Sequence, residues 1–173
     1  MTAPVSSLPI AVAGATGRMG HMLIEAILDT DDCRLSGALD IAASPALGQD
    51  AAAWLGKATG VAVSSDLRAG LKDSQFLIDF TRPEGTMAHL QVCRELGVKA
   101  VIGTTGFSEA QKAEIADIAK DIAIGYRRAH RGHAQIVEPR HLRPGQPARG
   151  ALPGRPAARP VRHVRRPEPA LNP

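Results

Sequence analysis

Short apolar runs alternate with amphipathic stretches along most of this chain. The apolar runs predict buried strands at 8–13, 34–39, 61–64, 76–78 and 99–102, with a sixth strand beginning at 122–124. Apolar residues at helical spacing predict helices at 18–29, from about 66, at 83–96 and at 109–120. Residues 41–60 predict a loop with a short helix around Trp54. The alternation predicts an α/β fold, a Rossmann-type doubly wound parallel sheet covered on both faces.

Local signals place several helix ends. Pro83 suits the first position of the third helix, and Gly97 suits its C-terminal cap. Ser108 with Gln111 three residues later predicts a capping box for the fourth helix.

The charge divides the chain in two. Residues 1–124 hold 10 Lys and Arg against 15 Asp and Glu, whereas residues 125–173 hold 11 Arg, no Lys and 2 Glu. The second part also holds 9 Pro and shows no apolar periodicity. We therefore predict a dinucleotide-binding domain at 1–124 and a disordered Arg/Pro-rich tail at 125–173.

The remaining composition excludes several classes of protein. No apolar run approaches the roughly 20 residues of a membrane helix, and no signal peptide is recognisable. Cys33 and Cys93 are far apart and have no metal-ligand spacing, which favours two small buried hydrophobic residues in a reducing cytoplasm. We expect a cytoplasmic protein with neither a membrane segment nor a metal site.

The segment from Gly14 to Gly20 reads G-A-T-G-R-M-G, between the first predicted strand and the first predicted helix. One glycine lets the strand turn, a second lets the backbone approach a pyrophosphate, and a third lets helix and strand pack closely. The helix N-terminus adds free N–H groups and a positive dipole end. A glycine pattern alone is also compatible with a purely structural turn, but this context favours dinucleotide binding.

Asp40 lies 20 residues past Gly20, at the end of the second predicted strand. A carboxylate there accepts hydrogen bonds from the adenosine ribose of NAD, although a solvated loop acid has the same spacing. It also repels the 2′-phosphate of NADP unless a cation lies beside it. Ile41 supplies none, and Arg18 is the nearest candidate cation in sequence.

Two further segments follow strands at the same predicted sheet edge. G-T-T-G at 103–106 offers small hydroxylated residues to a nicotinamide or substrate, but alone it is an ordinary loop. In the segment 79–85, Arg82 is equally compatible with a phosphate or carboxylate contact and with a solvated surface charge.

Together these motifs resemble the 4-hydroxy-tetrahydrodipicolinate reductase family, also called dihydrodipicolinate reductase, of bacterial lysine and diaminopimelate biosynthesis. The matching segments are A-V-A-G-A-T-G-R-M-G at 11–20, F-L-I-D-F-T-R-P-E-G at 76–85 and V-I-G-T-T-G-F at 101–107. The resemblance covers about residues 8–124.

The resemblance implies a cytoplasmic homotetrameric oxidoreductase that uses NADH or NADPH. Its substrate would be a small cyclic dicarboxylate, reduced to tetrahydrodipicolinate with loss of water. Many members follow the ribose acid with an Arg that serves NADP, so Ile41 argues against a strong NADPH preference. By matching positions, the implied cofactor contacts are Gly14, Ala15, Thr16, Gly17, Arg18, Met19, Asp40, Gly103, Thr104 and Thr105.

The sequence departs from the family after Ile124. Family members continue with a Val-Phe-Ala segment and a substrate domain whose His-His-Arg-His-Lys and Ser-Gly-Thr motifs are absent here. We therefore assign no catalytic residue, His141 included, and expect this chain to be inactive and to lack the domain that assembles the tetramer. We also expect the sixth strand to stop at Ile124 and to leave an open sheet edge, which would lower stability and solubility.

The Arg-rich composition of the tail resembles GC-rich DNA translated in the wrong frame, which predicts a frameshifted or truncated gene. Two other classes of function stay open at this point. One is a catalytically dead nucleotide-binding module. The other is a basic tail that binds nucleic acid through phosphate neutralisation. Tyr126 is its one aromatic residue, which argues against stacking on bases.

Overall fold

A computed structural model describes residues 7–127 and 134–137 of the chain. The strands are β1 (Leu8–Ala13), β2 (Cys33–Leu39), β3 (Val63–Ser64), β4 (Phe76–Asp79), β5 (Lys99–Ile102), β6 (Ile124–Arg127) and β7 (Ala134–Val137). The helices are α1 (Arg18–Leu28), α2 (Leu67–Leu71), α3 (Pro83–Leu96) and α4 (Glu109–Ile118), with a 3₁₀ turn at Ala53–Leu55. None of the described helices is long and apolar enough to cross a membrane.

One sheet contains all of these strands, in the order β3-β2-β1-β4-β5-β6-β7. The first six are parallel, and β7 pairs with β6 in the antiparallel direction. β1 lies between β2 and β4, so the chain order reverses direction at this strand. The predicted Rossmann-type doubly wound fold is confirmed, and its crevice for ligands is expected at the carboxyl ends of these strands.

The core lies on both faces of the sheet because strand side chains alternate between them. Ile10 and Val12 of β1 pack with α1 on one face, whereas Ala11 and Ala13 pack with α2, α3 and α4 on the other. Small residues at the central strand let helices approach the sheet closely.

The helix ends predicted from local signals are confirmed, whereas α1 and α4 end one and two residues before their predicted ends. Pro83 is the first residue of α3, and Gly97 caps its C-terminus in the left-handed conformation, with φ of 72°. Ser108 and Gln111 form both hydrogen bonds of the capping box at α4. Asp66 caps α2 by accepting a hydrogen bond from the N–H of Ala69.

The predicted end of the sixth strand at Ile124 is wrong. β6 continues to Arg127, with Gly125 and Tyr126 in register with β5. A strand ladder uses backbone groups, so the change in side-chain composition at residue 125 does not end it. β7 then pairs with the outer side of β6, so the open edge predicted there is also wrong. Residues 128–133 and 138–173, which hold most of the predicted tail and His141, lie outside the described residues.

Candidate functional site

A groove of about 1370 Å³ opens at the carboxyl ends of β1, β2 and β4. We call it the strand-end groove. Its lining residues are Ala13, Gly14, Thr16–Gly20, Met22, Leu39–Ala42, Ser65, Leu67, Phe80–Arg82, Glu84, Gly85, Ala88 and His89. It lies where a doubly wound sheet places its ligand, and the glycine turn forms its centre.

The glycine turn depends on two positions that no other residue fits well. Gly14 has a φ of +70°, a conformation that side chains rarely adopt. At Gly20, an added Cβ would lie 2.1 Å from the carbonyl oxygen of Gly14 and 2.7 Å from that of Ala15. The first glycine therefore makes the turn and the third lets α1 pack on it, as the spacing predicted.

The N-terminus of α1 points into the strand-end groove without a side-chain cap. Gly17 is the N-cap residue, and the first intrahelical bond is from the N–H of His21 to the carbonyl of Gly17, at 2.9 Å. The N–H groups of Arg18, Met19 and Gly20 therefore have no intrahelical acceptor. With the positive end of the helix dipole, they form a site suited to a phosphate group.

Asp40 lies at one end of the groove and is held by the glycine turn. Its Oδ2 accepts hydrogen bonds from the N–H of Thr16 at 2.8 Å and from the hydroxyl of Thr16 at 2.5 Å. Its Oδ1 accepts from the N–H of Ile41 at 2.8 Å. Among the described residues, Asp40 has no cationic partner. Oδ1 can accept a further hydrogen bond, so this carboxylate beside the phosphate site is suited to bind a sugar hydroxyl.

Not all of the predicted contacts line the groove. Ala15 is buried and packs in the core beside β1. Thr104 is also buried, and its hydroxyl accepts a hydrogen bond from the hydroxyl of Thr86 and donates to the carbonyl of Thr81. Gly103 is covered by the ring of Phe80, which an added Cβ would overlap at 1.9 Å. Thr105 is exposed but does not line the groove.

His89 lines the groove and pairs with a buried acid behind it, Asp79, and sequence reasoning did not single out this pair. Asp79 is 1% exposed; its Oδ1 accepts from the N–H and hydroxyl of Thr81 at 2.8 and 2.7 Å, and its Oδ2 lies 2.7 Å from Nδ1 of His89. Burial raises the pKa of Asp79, but the hydrogen bonds from His89 and Thr81 outweigh burial and leave that pKa below its usual value. Spacing could have indicated the histidine, because His89 follows the buried Thr86 by three residues on α3.

Arg82 is the N-cap residue of α3 and lies exposed at the rim of the groove. Among the described residues it has no ion-pair partner. This position at the rim is compatible with a contact to a phosphate or carboxylate and equally with a solvated surface charge.

A family model described as the N-terminus of dihydrodipicolinate reductase matches residues 8–128. Curated relatives that carry the name 4-hydroxy-tetrahydrodipicolinate reductase include the following two. The protein of Herminiimonas arsenicoxydans is 62% identical over 120 residues, which are 69% of this chain and 45% of that protein. The protein of Cupriavidus pinatubonensis is 64% identical over 115 residues, which are 66% and 43% of the respective chains. The chain therefore spans less than half the length of these relatives.

Solved structures share the fold. A dipicolinate-bound dihydrodipicolinate reductase from Paenisporosarcina sp. TG-14 is 23% identical with a TM-score of 0.53, over 66% of this chain and 43% of that one. The WlbA dehydrogenase of Chromobacterium violaceum, in complex with NADH and UDP-GlcNAcA, is 19% identical with a TM-score of 0.57. That likeness covers 70% of this chain and 35% of the dehydrogenase. At these identities the likeness concerns the fold alone.

Proposed function

Since this chain belongs to the dihydrodipicolinate reductase family by its match to the family's N-terminal region, we propose that the strand-end groove binds NADH or NADPH. The observation that carries the proposal is the uncapped N-terminus of α1 beside Asp40. The N–H groups of Arg18, Met19 and Gly20 would hold the pyrophosphate, and Asp40 would accept a hydroxyl of the adenosine ribose.

Two features of the groove lining support the proposal. Gly17 is exposed, and its missing Cβ leaves the phosphate site open. Ile41 is 70% exposed beside Asp40 and offers an apolar surface but no charge to the adenosine end. Bound NADH or NADPH supplies the hydride, and the residues of this chain supply position and electrostatics.

The remaining predicted contacts extend this proposal beyond the groove. Gly103, Thr104 and Thr105 follow β5, next to the strand that carries Asp79. Their place in the site would be at its edge, behind Phe80, where Thr104 supports the carbonyl of Thr81. Arg82 would face the phosphates or a substrate carboxylate from the rim.

The reaction that we propose for the complete protein is reduction of 4-hydroxy-tetrahydrodipicolinate to tetrahydrodipicolinate, with this region as the cofactor domain. General acid catalysis needs a donor within hydrogen-bond reach of the reacting atom. The motif implied for that donor is absent from the 173-residue sequence. We therefore expect the chain to bind the cofactor without turning over substrate, and a steady-state assay of NADH oxidation at 340 nm tests this.

Binding is tested by isothermal calorimetry of NADH with the full chain and with Gly17→Val. An added Cβ at residue 17 would meet only the carbonyl oxygen of Gly14, at 3.3 Å, so the variant can fold while its branched side chain occupies the phosphate site. We expect NADH binding to be lost. Gly125→Val is the matched control, because that position has open space and lies outside the groove. Unchanged affinity in Gly17→Val would contradict the assignment of the glycine turn.

A further inference from the structure

His89 lines the strand-end groove and contacts Asp79 of β4, whereas Asp40 follows β2, on the other side of β1. The proposed function gives His89 no task. Its side chain is 13% exposed. Its neighbour in the groove wall is Gly85, where an added Cβ would lie 3.8 Å from Cε1 of the ring. The ring is thus packed between the buried Asp79 and the groove.

The carboxylate of Asp79 fixes which ring nitrogen carries the proton. This acid is ionised, because the hydrogen bonds it accepts hold its pKa below the usual value. A carboxylate only accepts hydrogen bonds, so Nδ1 of His89 donates across the 2.7 Å contact to Oδ2. In the neutral ring, Nε2 is therefore an acceptor without a proton.

Nε2 is accessible from the groove. It forms no hydrogen bond with any described residue, since the hydrogen bond of this ring to Asp79 is made by Nδ1. In the described part of the chain, no buried side-chain nitrogen or oxygen lacks a partner. An unpartnered Nε2 on a residue that lines the groove is therefore open to a ligand.

The sheet order gives the position of this acceptor relative to the phosphate site. β1 precedes the glycine turn and lies between β2, which is followed by Asp40, and β4, which carries Asp79. A dinucleotide with its pyrophosphate at α1 and one ribose at Asp40 extends its other nucleoside towards β4. We propose that Nε2 of His89 accepts a hydrogen bond from a hydroxyl of this second ribose, and that Asp79 is the positioning residue that holds the proton of the neutral ring on Nδ1.

This inference rests on the proposed function. Binding of two ligands, ADP and ADP-ribose, distinguishes a failure of the inference from a failure of the proposed function. ADP carries the adenosine and the pyrophosphate, whereas ADP-ribose adds the second ribose without a nicotinamide. Calorimetry of the full chain is expected to show that His89→Leu weakens ADP-ribose about three- to tenfold, the range for one hydrogen bond to a neutral acceptor. ADP affinity is expected to stay unchanged. His89→Gln, which keeps an acceptor, is expected to recover part of the loss.

A second variant tests the role of Asp79. In Asp79→Asn, the amide can donate to Nδ1, which moves the ring proton to Nε2 and replaces the acceptor by a donor. We expect the same selective loss of ADP-ribose, together with exchanged ¹⁵N shifts of the two ring nitrogens. If this variant does not fold, the ligand selectivity of His89→Leu decides alone.

The outcomes are distinct. Equal losses of ADP and ADP-ribose in His89→Leu, or no loss of either, would overturn the role of His89. If that happens while Gly17→Val still loses both ligands, the proposed dinucleotide site stands. If the unaltered chain binds neither ligand, the proposed function and this inference both fail.

Discussion

Replacing Asp40 by alanine is expected to change the choice between NADH and NADPH. For NADH, the variant removes a hydrogen bond from a ribose hydroxyl to a charged acceptor, which contributes about 1.5–3 kcal/mol. NADH affinity should therefore fall by about tenfold to a hundredfold. Since Asp40 is one hydrogen-bonded carboxylate at the groove end, the effect should not extend to the phosphate site.

For NADPH, the same change removes a repulsion. Two unit charges about 4 Å apart repel by about 1 kcal/mol in water and about 4 kcal/mol at an effective dielectric constant of 20. No described Lys or Arg pairs with Asp40 to offset this. NADPH affinity should therefore stay level or rise, and the ratio of NADH to NADPH affinity should fall at least tenfold.

The assay is calorimetry with both cofactors at one ionic strength, because salt screens exposed charges. Asp40→Asn keeps an acceptor for the N–H of Thr16 and separates the loss of charge from damage to the turn. Asp73→Ala removes an exposed carboxylate outside the groove and controls for net charge. Equal losses of NADH and NADPH in Asp40→Ala would mean that this residue supports the turn and does not reach the ribose.

Three further predictions concern the buried parts of the site. Gly20→Ala should cost about 1–3 kcal/mol of unfolding free energy in urea, because its Cβ would lie 2.1 Å from a backbone oxygen, whereas Gly17→Ala, with its Cβ 3.3 Å from one backbone oxygen, should cost less. The pKa of Asp79 is lower in the folded protein than in the unfolded chain, where it is about 3.9. The ionised carboxylate therefore stabilises the fold above this pH, and the stabilisation is lost as the pH falls through the pKa of the folded state. The deficit of Asp79→Asn at pH 7 should therefore shrink at acid pH, and a constant deficit would contradict this. Burial, with the charge of Asp79, raises the pKa of Cys93 to about 12, so a thiol reagent at pH 8 should label Cys33 first and both cysteines only after unfolding.

The apolar pattern predicted the sheet well because its central strand, β1, is buried on both faces. β1 and β5 have the predicted limits, and α3 begins and ends at the predicted Pro83 and Gly97. These ends depend on local chemistry, which a sequence displays directly. The end of β6 could not be found in this way, because composition changes at residue 125 while the backbone ladder continues to Arg127.

The glycine turn was predictable from its spacing, and so was Asp40 at the end of β2. The pairing of Asp79 with His89 was not, because it joins a strand end to the middle of a helix across ten residues. The burial of Thr104 was missed for a similar reason: its partner Thr86 lies 18 residues away. Such contacts arise from the packing of α3 on the sheet, which a single sequence does not show.

Binding of a dinucleotide at the N-terminus of α1 is tested most directly by an NMR titration of the ¹⁵N-labelled chain with NADH. The account predicts that the amide signals of Arg18, Met19 and Gly20 shift most, because their N–H groups receive the pyrophosphate. The amide of Ile41, which donates to the ribose acid, should shift with them. Shifts that leave these four amides unchanged, or the absence of any shift at saturating NADH, would contradict the central claim.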